Sequence, residues 1–246
     1  MKTPFFICSM LFIISAAQAQ FNPTTSMQND FKDIAHYRGR QNGYEAVQTY
    51  SSGNIKGSQF FYPGFADGSV TTTNNEVLSG IYQFLFDKVR QEFFIINKSD
   101  KRDPPEVLLA EKSQVKSFTL TTDRDHVFVP ARNYDAANNT DFYEILDKND
   151  SGFSLLKLTK TTFVKFDNRD MEKVKRGDMY DEFVDKTTYY ISFKNGKLQQ
   201  VTFKQKSLVS AFPVSKKEII DDFFRNHNQD EVNEQALINF VDAINK

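Results

Sequence analysis

The feature that most constrains the fold is a long series of short β-prone runs that begins at Gly57, with turn residues between the runs. Each run is rich in Phe, Tyr, Val, Ile and Thr, and none has the sustained 3.6-residue periodicity of a helix. Strands spaced about every ten residues without intervening helices favour an antiparallel sandwich or barrel-like meander, because parallel strands need longer crossovers. The predicted strands are Ser58–Tyr62, Ser69–Thr73, Gly80–Phe86, Glu92–Asn97, Val107–Ala110, Val115–Leu120, Val127–Pro130, Phe142–Leu146, Phe153–Leu158 and Thr161–Phe166.

The clearest local signal is a β-hairpin centred on Asn195-Gly196. This dipeptide suits a two-residue type I′ turn, which needs positive φ at both central residues. Such a turn places Phe193 opposite Leu198, but strict pairing from there puts the apolar residues that follow on the wrong face of the sheet. We therefore predict a β-bulge, one extra residue in the returning strand, at Gln199 or Gln200.

The end of the chain changes from strand patterns to helix patterns. Ser215-Lys216-Lys217-Glu218 matches a capping box, in which the serine and the glutamate each bond the other's backbone amide. The apolar stripe that follows has helical spacing, and a second helix is predicted over Asn233–Ile244. The fold class is therefore mainly β, with two C-terminal α-helices packed on the sheets.

The first 19 residues have the pattern of a secretory signal peptide. Lys2 supplies a positive start, Phe5 to Ile14 is an apolar run, and small residues precede Ala19, where we expect cleavage. The one cysteine, Cys8, lies in this segment, so a mature chain would have no disulfide, no cysteine nucleophile and no thiolate metal site. These features predict an exported protein, periplasmic or extracellular.

The domain boundaries follow from the change in pattern near Gly57. Residues 20–56 are polar and mixed, and we interpret them as an N-terminal appendage with a short helix near Ser26 to Tyr37 and a strand between Gln41 and Lys56. Residues 57–246 form one β-domain, with its C-terminal helices starting from about residue 215.

The charge balance excludes some partners. The chain has 31 basic and 32 acidic side chains, and removal of Lys2 with the signal peptide leaves a small net negative charge. No basic surface covers the domain, so we expect no nucleic acid partner. The signal segment is too short to span a bilayer core, which needs about 20 apolar residues, and we expect no transmembrane segment after its removal.

A loop after Leu146 is a candidate calcium site. Asp147, Asn149 and Ser151 place oxygen side chains at positions 1, 3 and 5 of a calcium-loop pattern, and a glycine follows at position 6. Position 12 is Leu158, so the bidentate glutamate of that pattern is missing. An ordinary polar hairpin loop is the favoured interpretation.

Acidic residues and a histidine also crowd together in Asp123-Arg124-Asp125-His126. An acid–base pair or a metal site there is one interpretation, and a solvated turn before a strand is the favoured one. The motifs of serine hydrolases, zinc proteases and nucleotide-binding proteins do not occur in the sequence. We therefore expect no cofactor and assign no catalytic residue.

Several of these segments occur in an order that resembles a family of uncharacterised exported β-rich proteins of Gram-negative bacteria. Members of that family are β-rich with a helical C-terminus, and the resemblance implies no activity and no functional residue. It rests on Gly57-Ser58 with the following aromatic run and Gly64 and Gly68, Leu85-Phe86-Asp87, Phe93-Phe94-Ile95, Val115-Lys116-Ser117-Phe118, the Tyr189 to Phe203 hairpin, Leu208 to Phe224 and Leu237 to Asn245.

The function that these patterns favour is an exported, non-catalytic binding or interaction protein of the cell envelope. Its partner would be another envelope protein or an apolar small molecule. The alternative is a carboxylate-dependent, glycosidase-like hydrolase, because the two acids of such an enzyme need only be close in space. Acids converging in a cleft would favour the enzyme, and an exposed apolar patch would favour the interaction protein.

Overall fold

The computed structural model describes residues 55–102, 105–149, 152–226 and 233–245, together with the backbone of residues 35–36. The predicted signal peptide and most of the N-terminal appendage lie outside these ranges. The strands are β1 (Ala35–His36), β2 (Ile55–Lys56), β3 (Asp67–Thr72), β4 (Val77–Leu78), β5 (Tyr82–Asp87), β6 (Glu92–Asn97), β7 (Val107–Ala110), β8 (Val115–Thr121), β9 (Asp125–Pro130), β10 (Phe142–Asp147), β11 (Phe153–Val164), β12 (Asp181–Phe193) and β13 (Leu198–Val201). The α-helices are α1 (Met171–Arg176), α2 (Gln205–Ala211), α3 (Lys217–Asn226) and α4 (Glu234–Asn245).

The strands form two open sheets. The small sheet has the order β1-β7-β6-β5, and the large sheet has the order β13-β12-β11-β10-β9-β8-β3-β4, with β2 added in parallel to β12. All other pairings are antiparallel, and β8 to β13 are neighbours in chain order. Within the described residues, β4 and β13 end the large sheet without pairing to each other. The predicted mainly β antiparallel fold is confirmed, and it is an open sandwich rather than a closed barrel.

Phenylalanine rings fill the space between the two sheets. Phe118 of β8 stacks on Phe93 of β6 at 4.1 Å between ring centroids and on Phe128 of β9 at 4.7 Å. Phe84 and Phe86 of β5 belong to the same buried cluster. Phenylalanine has no polar group to satisfy, so this packing stabilises the sandwich at no hydrogen-bonding cost.

The C-terminal helices cover the other half of the same face of the large sheet. Leu237, Phe240, Val241 and Ile244 of α4 are buried against Leu155, Ile191 and Val201. The side chain of Asn245 fixes the end of α4, since it accepts from the Phe153 amide at 2.8 Å and donates to the Phe153 carbonyl at 2.8 Å. Within the described ranges, no helix combines the length and the apolar character needed to cross a membrane.

Two of the strand predictions need correction. Ser58–Tyr62 is not a strand, because only Phe60 makes an isolated bridge, to Asp87, and the Ser58 hydroxyl bends the chain by accepting from the Phe60 amide. The two strands predicted at Phe153–Leu158 and Thr161–Phe166 are one continuous strand, β11. Its 12 residues each pair with a residue of β12, so the partner strand sets its length.

The hairpin between β12 and β13 contains the extra residue that the sequence requires, but in the turn. Ser192 lies opposite Leu198, and the Phe193 amide donates to the Lys197 carbonyl at 2.9 Å. The loop therefore has three residues and ends at Gly196, which has a φ of 79°. The predicted two-residue turn and the bulge at Gln199 or Gln200 are wrong, because the left-handed glycine absorbs the register shift.

The two predicted C-terminal helices are present as α3 and α4, while α1 and α2 were not predicted. The capping box at Ser215 is wrong: a 3-10 turn over Val214–Lys216 precedes α3, and its N-cap is Pro213 without a side-chain capping bond. Asn233 caps α4, since its side chain accepts from the Ala236 amide at 3.0 Å.

The N-terminal prediction is wrong where the structure describes it. Ala35 and His36, placed in a helix by the sequence pattern, pair with Ala110 and Leu109 at the edge of the small sheet. Edge pairing outweighs the weak helical spacing here. Of the strand expected between Gln41 and Lys56, the described part is β2.

Candidate functional site

The small sheet and the C-terminal helices cover different halves of one face of the large sheet. A set of charged and polar side chains lies between the two apolar cores, and we call it the seam. Its members come from β9, β10, β11, β12, the turn before β9 and the first turn of α4: Asp123, Arg124, His126, Glu144, Lys157, Tyr189 and Glu234.

His126 and Glu144 form the buried centre of the seam. The His126 Nδ1 atom lies 2.7 Å from Glu144 Oε1, and the two side chains are 10% and 4% exposed. The other ring nitrogen, Nε2, lies 3.2 Å from Asp123 Oδ1, and the ring packs edge-on against Phe61 at 4.8 Å. Hydrogen bonds from the Thr122 hydroxyl and then from His126 hold the pKa of Asp123 at about 2.

Lys157 joins this centre to the helices. Its ammonium lies 2.9 Å from Glu234 Oε2 and 3.4 Å from Glu144 Oε2. The Tyr189 hydroxyl donates to Glu234 at 2.9 Å. Burial raises the pKa of Glu234, but the Lys157 ammonium and the Tyr189 hydroxyl outweigh it, so the pKa lies below its usual value. Burial and the Glu234 carboxylate both raise the pKa of Tyr189.

The seam corrects the favoured interpretation of Asp123-Arg124-Asp125-His126. Asp123 is 81% exposed, as a solvated turn requires, but His126 is buried. The sequence does not reveal this pairing, because Glu144 is 18 residues away in the chain. Adjacent strands bring the two side chains to one face, because Glu144 pairs with Phe128 and His126 lies two residues before Phe128 in β9.

The acids of the seam are paired with its cations inside the protein. Glu144 and Glu234 are the two acids that approach each other there, and each is in contact with both Lys157 and Arg124. A glycosidase needs one acid free to donate a proton and both acids within reach of the sugar. Glu144 is 4% exposed, so a sugar ring cannot contact it without opening the seam.

The candidate calcium loop is only partly described, since Ser151 lies outside the described residues. Asp147 ends β10 with its Oδ2 atom buried and without a hydrogen-bond partner. Burial, and then the nearby Asp242 carboxylate of α4, raise the pKa of Asp147. The Asn149 amide donates to the Ser154 hydroxyl at 3.0 Å. Across the described ranges, no three His, Cys, Asp or Glu side chains are grouped as metal ligands.

Two clefts open on the surface away from the seam. One, of about 430 Å³, lies between Phe153, Phe193 and the end of α4 at Asn245. The other, of about 500 Å³, is lined by charged groups that include Glu92, Lys112 and Arg132. Burial lowers the pKa of Lys112, whose ammonium donates to the Thr140 carbonyl at 2.9 Å. The first cleft has two Phe side chains beside Lys194, Asn195 and Lys216, and the lining of the second includes no Phe, so neither is the Phe-lined cavity that a carrier of apolar molecules needs.

The most exposed part of the β-structure is what we call the arm, residues 159–187. It consists of the end of β11, the helix α1 and the start of β12. β10 pairs with β11 only as far as Lys157, and β13 pairs with β12 only from Tyr189, so the arm extends past both of these strands. Among the described residues, its further strand partner is the two-residue β2, beside Asp181 and Glu182. Its base is held by Lys88, whose ammonium lies 2.7 Å from Asp185.

The arm has a buried-side face and an outward face. Phe163 and Phe183 share the first, with ring centroids 5.1 Å apart. Val164 and Val184 share the outward face and are 39% and 44% exposed. Near the tip, Met171 and Met179 are 59% and 56% exposed; Met171 begins α1, and Met179 lies three residues after its end. An exposed apolar strip of this kind is typical of a surface that contacts another molecule.

No family model, no curated protein and no solved structure matches this chain. The comparisons therefore neither support nor contradict the resemblance to the family of exported β-rich proteins.

Proposed function

We propose that this chain is an exported, non-catalytic interaction protein of the cell envelope, and that it contacts another polypeptide through the arm. The observation that carries the proposal is the apolar outward side of the arm, with Val164 and Val184 on the ribbon and Met171 and Met179 near its tip. A ribbon that extends past its neighbouring strands costs contacts within the fold, and a partner that packs on it would replace them.

The magnitude of this apolar surface indicates a weak contact by itself. Complete burial of a Val or Met side chain contributes about 1.5–3 kcal/mol, and about half of each of these four side chains is already buried. Burying the exposed half contributes about 1 kcal/mol for each side chain, or about 4 kcal/mol in all, which corresponds to a dissociation constant of about 1 mM. A partner must therefore also match the polar groups beside the valines.

The hydrolase alternative has less support. Both acids of the seam are bound to cations, and Glu144, at 4% exposure, is closed to substrate. An apolar ligand has less support as well, because the two described clefts are open to solvent and are lined by charged and polar residues as well as apolar ones.

Native mass spectrometry of the mature protein, purified gently from its own cell envelope, tests the proposal. The arm variant V164T/V184T replaces two exposed valines with a polar residue of similar β-propensity, so the strands are retained. The matched control is V77T/I81T, because Val77 and Ile81 are similarly exposed, at 55% and 43%, but lie outside the arm.

We expect the wild-type chain and the control to carry an associated polypeptide that the arm variant loses. A polypeptide retained equally by all three proteins would place the contact elsewhere. A bare monomer in every sample, or a bound small molecule with no polypeptide, would contradict the proposal.

A further inference from the structure

The outward face of the arm carries opposite charges on the two sides of Val184. Along β12, Glu182, Val184 and Lys186 point to this face in turn, because alternate residues of a strand share a face. Val184 and Lys186 are exposed, and Glu182 is 29% exposed. An acid and a base therefore lie about 7 Å on either side of an exposed valine.

We propose that the partner of the arm is a second copy of this chain, bound face to face about a two-fold axis that passes beside Val184. This inference rests on the proposed function. The axis lies between the two faces and is perpendicular to the strands. It therefore reverses the strand direction in the second copy, and each strand faces the equivalent strand of that copy. Val184 then packs on Val184 of the second copy, and Glu182 faces the second copy's Lys186 twice in one interface.

The neighbouring strand fits the same axis. Across the ribbon, Thr162 pairs with Val184, so the axis also passes beside Thr162. Lys160 and Val164 lie on either side of it and would face each other between copies. The aliphatic stem of Lys160 can cover the exposed Val164, while its ammonium keeps its contact with Asp141, which lies 2.8 Å away.

The pattern favours a second copy over an unrelated protein. Lys160 and Lys186 are opposite each other on the ribbon, where like charges are unfavourable, and Asp141 compensates the charge of Lys160 at 2.8 Å. The two-fold arrangement brings the second copy's Glu182 to Lys186. An isologous interface needs a self-complementary patch, and acid–apolar–base in one strand is the shortest patch of that kind.

A charge-reversal cycle tests the inference on the purified, signal-free full chain by sedimentation velocity across a concentration series. E182K and K186E each place like charges opposite each other twice, so each should weaken dimerisation by about tenfold or more. The double variant E182K/K186E restores both pairs in reversed order, and its dimerisation should return to within about threefold of wild type.

Two control variants separate this effect from net charge. D222K and R225E make the same changes of charge at an exposed pair of α3, whose atoms lie 3.4 Å apart, and should leave dimerisation unchanged. Because Glu182 also lies 3.7 Å from Lys56, the thermal unfolding midpoint of each variant is measured to show that the arm is folded.

Three results would overturn the inference: a monomer at every concentration, a dimer that neither reversal weakens, or a folded double variant that stays as weak as the single ones. If the purified chain is monomeric while the envelope preparation contains an arm-dependent polypeptide of another mass, the inference fails and the proposed function stands. If V164T/V184T keeps its polypeptide in the envelope preparation and neither charge reversal weakens dimerisation, both fail.

Discussion

Removing the Glu144 carboxylate is expected to destabilise the fold, because this buried group contacts the His126 ring and balances the charges of Arg124 and Lys157. Its Oε1 atom lies 2.7 Å from His126 and 3.4 Å from Arg124, and its Oε2 atom lies 3.4 Å from Lys157. E144Q keeps the volume and one acceptor oxygen but removes the charge. Lys157, which is 20% exposed, then depends on Glu234 alone.

The magnitude follows from what remains after the change. Breaking a buried ion pair by removing one partner costs about 3–5 kcal/mol. Glu234 still compensates Lys157 at 2.9 Å, and Arg124 is 46% exposed to water. We therefore expect E144Q to lower the free energy of unfolding by about 2 kcal/mol, which is less than that range. For a chain of this length, that corresponds to a fall of about 4–8 °C in the unfolding midpoint.

Equilibrium urea unfolding at neutral pH measures this difference, with an unchanged slope as the sign that two-state unfolding is retained. The matched control is D222N, which breaks an exposed ion pair and should change stability by less than about 0.5 kcal/mol. In the E144Q background, K157M should cost less than it does in the wild-type chain, because the ammonium that it removes has already lost one of its two carboxylate partners. An E144Q chain as stable as D222N would refute the role assigned to the seam.

Two further predictions concern other parts of the fold. Burial and Asp242 raise the pKa of Asp147 above its ordinary value of 3.8, so the folded state binds the carboxyl proton more tightly than the unfolded state does. The stability therefore falls as the pH rises from 3.8 through the raised pKa. D147N should therefore raise the urea midpoint at pH 7 with little effect near pH 3, and a lower midpoint at pH 7 would contradict this sign. Gly57 has a φ of 81°, and an added Cβ would lie 2.7 Å from the Phe183 carbonyl oxygen, so G57A should lower stability by about 1 kcal/mol or more. G64A, where a Cβ meets nothing within 4 Å, is its control in the same thermal unfolding assay.

The sequence predicted strands correctly where one face of the strand is buried and the other is exposed. In β8, Phe118 and Leu120 are buried, while Thr119 is partly buried and Thr121 is exposed, which is the alternation that a half-buried strand requires. The sequence also showed that the last hairpin needs one extra residue. It could not place that residue, because Gly196 can serve either a two-residue turn or a three-residue loop.

The candidate site was less predictable, because its contacts join distant parts of the chain. The burial of His126 depends on Glu144 in the next strand, and the link to Lys157 and Glu234 depends on where α4 begins. The sequence did not predict the arm for a related reason. Thr159-Lys160 has the polar character of a turn, and only the pairing with β12 shows that the strand continues through these two residues.

The most direct test of the central claim, that the arm contacts a polypeptide, is site-specific photo-crosslinking in the native cell envelope. A benzophenone side chain replaces Val184 in one variant and Val77, which is also exposed, in the other. The account predicts one discrete protein adduct from position 184 and none from position 77, and an adduct of twice the chain mass would identify a second copy. No protein adduct from position 184, or the same adducts from both positions, would contradict it.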